Sequence, residues 1–233
     1  MSSRLEGRQM ETMIQIDDIS HAYDKKKVLN NVNLSIQKGE RCALVGRNGA
    51  GKSTLIHLLL NIMPLKHGKI TLAGHPSKKQ TWKQYVSYLP EKFDLYPHLT
   101  GYENMQFFAT LSNQKIEPKK IEEKLKLVSL WDAKDSQIKG YSKGMLQRLG
   151  LAIMLYYDTD IIILDEPTSG LDPIGRADIL RIIKSLEGKT IFMASHHIGE
   201  IEQVCTHVAY LDDGKMTKYD IGDFVAKYTE GAI

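Results

Sequence analysis

The stretch Gly46-Arg47-Asn48-Gly49-Ala50-Gly51-Lys52-Ser53-Thr54, GRNGAGKST, lies between two apolar runs. Cys42, Ala43, Leu44 and Val45 precede it; Leu55, Ile56, Leu58, Leu59 and Leu60 follow it. The first run reads as a strand buried on both faces and the second as a helix. Between them, Gly-x-x-x-x-Gly-Lys-Ser is the phosphate-loop pattern in the strand–turn–helix context that it needs. Glycines let the backbone curl so that successive N–H groups point inward at phosphate oxygens. The helix start adds partial positive charge, Lys52 a full charge for the β- and γ-phosphates, and Ser53 a hydroxyl that can ligate Mg²⁺. The stretch is expected to hold a nucleoside triphosphate through Gly46, Asn48, Gly49, Ala50, Gly51, Lys52, Ser53 and Thr54.

Outward from that loop, strands and helices alternate. MIQIDDIS and VNLSI alternate apolar with polar residues, as half-exposed antiparallel strands do. A helix from Lys52 to about Ile62 ends before Pro64, and GKITLAG and YVSYLP read as two more strands. From residue 92 to 158 only helices are expected. TGYE (Thr100 to Glu103) is a capping box, Pro118 suits a first helical turn, and a third helix follows Ser142. Alternation resumes with the buried strand IIILD, a helix from Asp172-Pro173 to Glu187, the strand TIFMAS, a helix near Ile198 to Val204, and a hairpin turning at Asp213-Gly214. The expected fold is α/β: a mostly parallel core sheet of the P-loop NTPase kind, an antiparallel β subdomain at the N-terminal end and an inserted helical subdomain over 92–158.

Two strand ends carry further chemistry. IIILDE places Asp165 at the carboxyl end of a buried strand, where ligands gather in parallel sheets and a carboxylate can hold Mg²⁺ through water. Glu166 can accept a proton from an attacking water, although such a pair can also simply cap the next turn. TIFMAS ends in Ser195-His196, and a histidine there can reach the γ-phosphate or serve the fold alone.

The 233 residues suit one α/β domain. With 31 Lys and Arg against 28 Asp and Glu, the charge is too mild to argue for nucleic acid; Lys25-Lys26-Lys27 and Lys78-Lys79 read as solvated faces. Cys42 and Cys205 sit in apolar contexts and read as buried reduced thiols, a disulfide being the alternative. No apolar run approaches a membrane span, so the chain reads as soluble. Residues 1–12 read as a disordered extension or an artificial leader, and the folded domain as 13–233.

These residues together resemble the nucleotide-binding domain of ATP-binding cassette (ABC) transporters over about Met13 to Tyr219. GRNGAGKST matches the family's phosphate loop, ILDEP its second Walker motif, and SGLD (Ser169 to Asp172) its D-loop. SHHIGE matches the switch-histidine region and selects His196 over His197. Tyr23 in HAYD matches the aromatic that stacks on adenine. YSKGMLQRL, Tyr141 to Leu149, resembles the signature motif Leu-Ser-Gly-Gly-Gln, keeping Ser142 and Gly144, with Lys143 replacing a glycine. The resemblance takes Ser-Lys-Gly-Met as a variant found in bacterial members of the family. Glu91 stands where the family has a glutamine that touches Mg²⁺ and links to the membrane partner.

The resemblance implies an ATPase with ATP and Mg²⁺ as cofactors. Two domains would close head to tail around two ATP molecules, with Ser142, Lys143 and Gly144 of one meeting the ATP held by the other. Glu166 would be the base, His196 would orient water and γ-phosphate, Lys52 would offset charge, and Ser53, Asp165 and Glu91 would hold the metal. The partner would be a separate integral membrane permease, docked near Glu91 to Tyr102 at the cytoplasmic face of the cell membrane. Phe93, Leu95, Tyr96, Leu99 and Tyr102 could form that contact or pack inside the insert. The second ATPase would be a copy of this chain or a similar protein, with no nucleic acid bound. The variant signature leans towards an exporter. Two alternatives are a soluble non-transport ATPase of the same superfamily and a regulatory module with impaired hydrolysis.

Overall fold

The computed structural model describes residues 11–24, 26–112 and 115–231. The leader read over 1–12 lies outside the described residues up to residue 10, as does Lys25 of the basic cluster. Glu11 and Thr12 already belong to the fold: Thr12 opens the first strand, and Glu11 pairs with Lys38 at 2.8 Å.

Strands β1 (Thr12–Tyr23) and β2 (Lys26–Gln37) pair antiparallel and, with β4 (His67–Leu72) and the two-residue β5 (His75–Pro76), make a sheet ordered β2-β1-β4-β5. The second sheet contains β3 (Arg41–Val45), β6 (Val86–Leu89), β7 (Ile161–Asp165), β8 (Thr190–Ala194), β9 (His207–Asp212) and β10 (Lys215–Asp220). Its order is β10-β9-β3-β8-β7-β6, parallel except for the final β9–β10 hairpin.

The apolar runs of the central strands are explained by burial on both faces. Cys42, Leu44, Ile161, Ile163, Phe192 and Ala194 point into a core shared with the antiparallel sheet. Their alternate neighbours Ala43, Val45, Ile162, Leu164, Ile191 and Met193 point into the other core, under the helices. Helix α1 (Lys52–Leu59) lies in the first core with Leu55, Ile56, Leu58 and Leu59 fully covered. It stops short of Ile62 because Asn61 turns left-handed, φ 53°. The antiparallel sheet is tied to the hairpin by Asn30 N–H to Gly214 O at 2.8 Å and by Lys218, whose ammonium reaches Ser35 O and Glu40.

Between β6 and β7 the described residues form α2 (Gly101–Thr110), α3 (Pro118–Leu127) and α4 (Lys143–Tyr156), with one isolated bridge, Thr100 to Gln137. Thr100 accepts from Glu103 N–H and Glu103 returns the bond, so α2 opens on the expected capping box. Buried Asn104 grips the preceding loop through Tyr96 N–H, Tyr96 O and Thr100 O. Helix α5 (Pro173–Lys184) begins at the Asp172 cap and ends three residues before Glu187; α6 (Ile198–Val204) follows β8.

A last helix, α7 (Ile221–Thr229), was not expected from sequence. It is anchored by fully buried Phe224 against Tyr210 and Tyr219, a tertiary contact that short-range pattern does not carry. Cys42 and Cys205 are free and buried, and burial pushes both thiol pKa values up.

Candidate functional site

Four neighbouring parallel strands deliver their following residues to one edge of the sheet. After β3 comes the Gly46 loop, after β8 Ser195-His196, after β7 Glu166, and two residues after β6 comes Glu91. Glu91, Glu166 and His196 border a cleft of about 530 Å³ with Tyr23, Asn48, Gly49, Gly51, Lys52, Ser53, Thr54, Asp165 and Ser169, whereas Gly46, Ala50 and Ser195 are not among its bordering residues.

The loop needs its glycines individually. A Cβ on Gly46 would lie 2.5 Å from Leu211 O, and one on Gly51 would lie 2.6 Å from Val28 Cγ1 at a φ of 109°. Lys52 Nζ donates to Gly46 O at 2.8 Å, so its charge spans the loop's mouth. Ser53 faces the cleft, whereas Thr54 is covered and its hydroxyl stands 3.3 Å from the Tyr23 hydroxyl. That bond and an edge-on contact with His21 fix the Tyr23 ring beside the loop, half-exposed.

Asp165 is buried, and its carboxyl pKa is raised by that burial, then by Glu166 and Glu91, against a smaller pull from His57 and Lys52. A carboxylate in that setting gains from added positive charge. Glu166 sits at φ 48°, in the left-handed region, and its N–H bonds Ala194 O of the neighbouring strand. A non-glycine residue there costs about 1–3 kcal/mol, a strain that concentrates at functional positions. The twist aims Oε2 at His196 Nδ1, 2.8 Å away. The His197 ring is tilted 42° to that of His196 with centroids 4.0 Å apart; it borders a neighbouring hollow and not the cleft. Exposed Glu91 lies within 3.4 Å of Ser169 Oγ, a link between two loops that the sequence pattern did not reveal.

Ser142, Lys143 and Gly144 are not among the cleft's bordering residues. Ser142 caps α4 by accepting from Met145 N–H, and Lys143 lies against Gly170. Lys26, Val28 and Ser169 border the cleft without having been singled out as ligands. Ser169 had a signal in SGLD; Lys26 and Val28 had none, because only sheet packing brings β2 there.

A second cavity, about 740 Å³, opens between the helical insert and the core, beside Ile62, Trp82, Phe93, Phe108, Leu111 and Tyr157. Of the aromatic and apolar residues flagged near it, Phe93 borders the cavity and Tyr96 is exposed, whereas Leu95 and Tyr102 pack against the insert's core.

The family model described as "ABC transporter" matches residues 29–169. An uncharacterized ABC transporter ATP-binding protein of Nostoc sp. is 44% identical over 81% of this chain, which spans 58% of that relative's length. The linearmycin resistance ATP-binding protein LnrL of Bacillus subtilis is 34% identical over 95% of this chain and 76% of its own length. A solved structure described as an ATP binding subunit of an ABC transporter superposes with a TM-score of 0.81 at 27% identity, covering 94% of each chain.

Proposed function

This chain belongs to the ABC transporter family, a family of ATPases, and from that premise we propose that it hydrolyses ATP to drive a separate integral membrane permease. The observation that carries this reading is the meeting of the Gly46 loop, Asp165, Glu166 and His196 in one cleft at the carboxyl edge of the sheet. ATP would lie with its phosphates on the loop N–H groups and Lys52, and with adenine against Tyr23. Glu166 takes the proton from the attacking water. His196, already bonded to Glu166, orients that water and the γ-phosphate.

The donor set fits Mg²⁺, a hard cation that prefers oxygen: the Ser53 hydroxyl with the Asp165 and Glu91 carboxylates, all bordering the one cleft. The metal would neutralise charge developing on the phosphates. Replacing Glu166 by Gln should cut turnover by about 10²–10⁴-fold while ATP affinity is kept. Near-normal turnover in that variant would remove Glu166 from its role.

The signature residues stand outside their own chain's cleft, which supports a pair of ATPase subunits sharing two ATP molecules, with Ser142, Lys143 and Gly144 acting on the partner's nucleotide. No helix among the described residues is long and apolar enough to cross a membrane. The membrane part would be the permease. Its docking place would be the 740 Å³ cavity, where Ile62 and Leu111 are 58% and 61% exposed. The chain would then work at the cytoplasmic face. Export is the direction favoured by the signature variant and by the resistance role in the name of the Bacillus relative.

A further inference from the structure

Four residues beyond His196, the first turn of α6 carries a buried carboxylate that the chemistry above does not use. Glu200 is 8% exposed. Its Oε2 accepts from Thr168 Oγ1 at 2.6 Å, and its Oε1 lies 3.8 Å from Arg176 Nη1. Arg176 in turn donates through Nε to Leu171 O at 3.0 Å. One carboxylate on the helix after His196 therefore grips both ends of the 168–171 segment, which follows Glu166.

The backbone explains why such a grip matters. Strands β7 and β8 stay paired up to Asp165 and Ala194, and Glu166 N–H to Ala194 O is the last ladder-like bond between them. Past that point two side-chain hydrogen bonds join the loops among the described residues, Glu166 to His196 and Thr168 to Glu200, and the Glu200–Arg176 ion pair adds a further link. The first joins the two groups that must turn to substrate, so it cannot also hold them in place. The second is buried and charge-assisted, and it lies clear of the cleft-lining residues.

We propose that Glu200 is a positioning residue for ATP hydrolysis. Through Thr168 and Arg176 it holds the loop after Glu166 in register with the loop bearing His196, so that both side chains reach one γ-phosphate. The inference rests on the ATPase reading of Glu166 and His196. A displacement on the order of 1 Å can cost about 10²-fold in rate without touching ground-state binding.

Thr168→Val removes the hydroxyl and leaves Arg176 in place. It should lower kcat by about 10- to 100-fold, with KM and the ATP dissociation constant changed less than about twofold. Glu200→Gln keeps an oxygen to accept from Thr168 but turns an amide NH2 towards Arg176, so it should lower kcat only several-fold, less than Thr168→Val. Hydrogen exchange on the nucleotide-free protein should quicken in both 166–171 and 196–200 in Thr168→Val. This arm needs no turnover, so a wild type that hydrolyses nothing would defeat the ATPase reading while exchange still judges the clamp. Should Thr168→Val not fold, Arg176→Met cuts the other arm and should lower kcat several-fold at constant KM. Unchanged kcat with unchanged exchange overturns the proposal. So does a joint fall of kcat, ATP affinity and Tm, or a Glu200→Gln as damaged as Thr168→Val.

Discussion

Gly46 leaves no space for a side chain. A Cβ there meets Leu211 O, a backbone atom at the end of β9, at 2.5 Å, so Gly46→Ala must push the loop away from the sheet. The N–H groups of the loop would lose their common focus. We expect Gly46→Ala to weaken ATP binding by at least about tenfold, one 1.4 kcal/mol step, read by calorimetry on folded protein. Gly49 tests the opposite case: a Cβ would meet nothing within 4 Å, but φ is 80°. Only backbone strain opposes Gly49→Ala, and its effect on binding should be the smaller of the two. Such residues were legible in sequence because a backbone requirement is written directly as glycine. The bond between Thr168 and Glu200 was not, since it joins residues 32 apart whose types are common everywhere. Nor was the φ of 48° at Glu166, where the residue type serves chemistry rather than conformation.

Elements were legible in proportion to how locally they are specified. The helix α2 announces its first turn in four letters, and both capping bonds form, Thr100 to Glu103 N–H and Glu103 to Thr100 N–H. Thr100→Ala should cost about 1 kcal/mol, measured by denaturant unfolding. The cap also has a pH signature. Hydrogen bonds from the Thr100 N–H and then its hydroxyl hold the Glu103 carboxyl pKa below its usual value. A lowered folded pKa means that the unfolded chain binds the proton more readily. The stabilisation is therefore complete above the ordinary glutamate range and lost as pH falls through the folded value. The stability gap between wild type and Glu103→Gln should accordingly close on acidification, and a constant gap would show that the ionised carboxylate contributes nothing. The helix α7 and the 3-10 turn over Gln80–Tyr85 escaped sequence reading for the opposite reason. Each depends on one buried aromatic, Phe224 or Trp82, finding a distant surface.

At the scale of the molecule, the strand ends bring Asn48, Gly49, Gly51, Lys52, Ser53, Thr54, Glu91, Asp165, Glu166 and His196 to one cleft, and leave the signature outside it. Ser142 and Lys143 are exposed, and Lys143 lies against Gly170, where a Cβ would collide with its Nζ. A cleft complete on its own would have included them, so the reading of two chains sharing each ATP makes a numerical demand. Lys52→Ala should disable the phosphate loop of a copy while leaving its signature intact; Gly144→Asp should do the reverse, placing a carboxylate where the partner's phosphates would come. Each variant alone should be nearly inactive. Mixed in equal amounts, random pairing makes half the dimers hybrid, and each hybrid has one of its two sites built from undamaged halves. If the two sites work independently, the mixture should recover about a quarter of the wild-type rate. Recovery to that level requires a site divided between chains, because neither copy contains one by itself. If instead the mixture only adds the two residual rates while gel filtration shows the variants pairing normally, each cleft works alone and the signature serves only the fold.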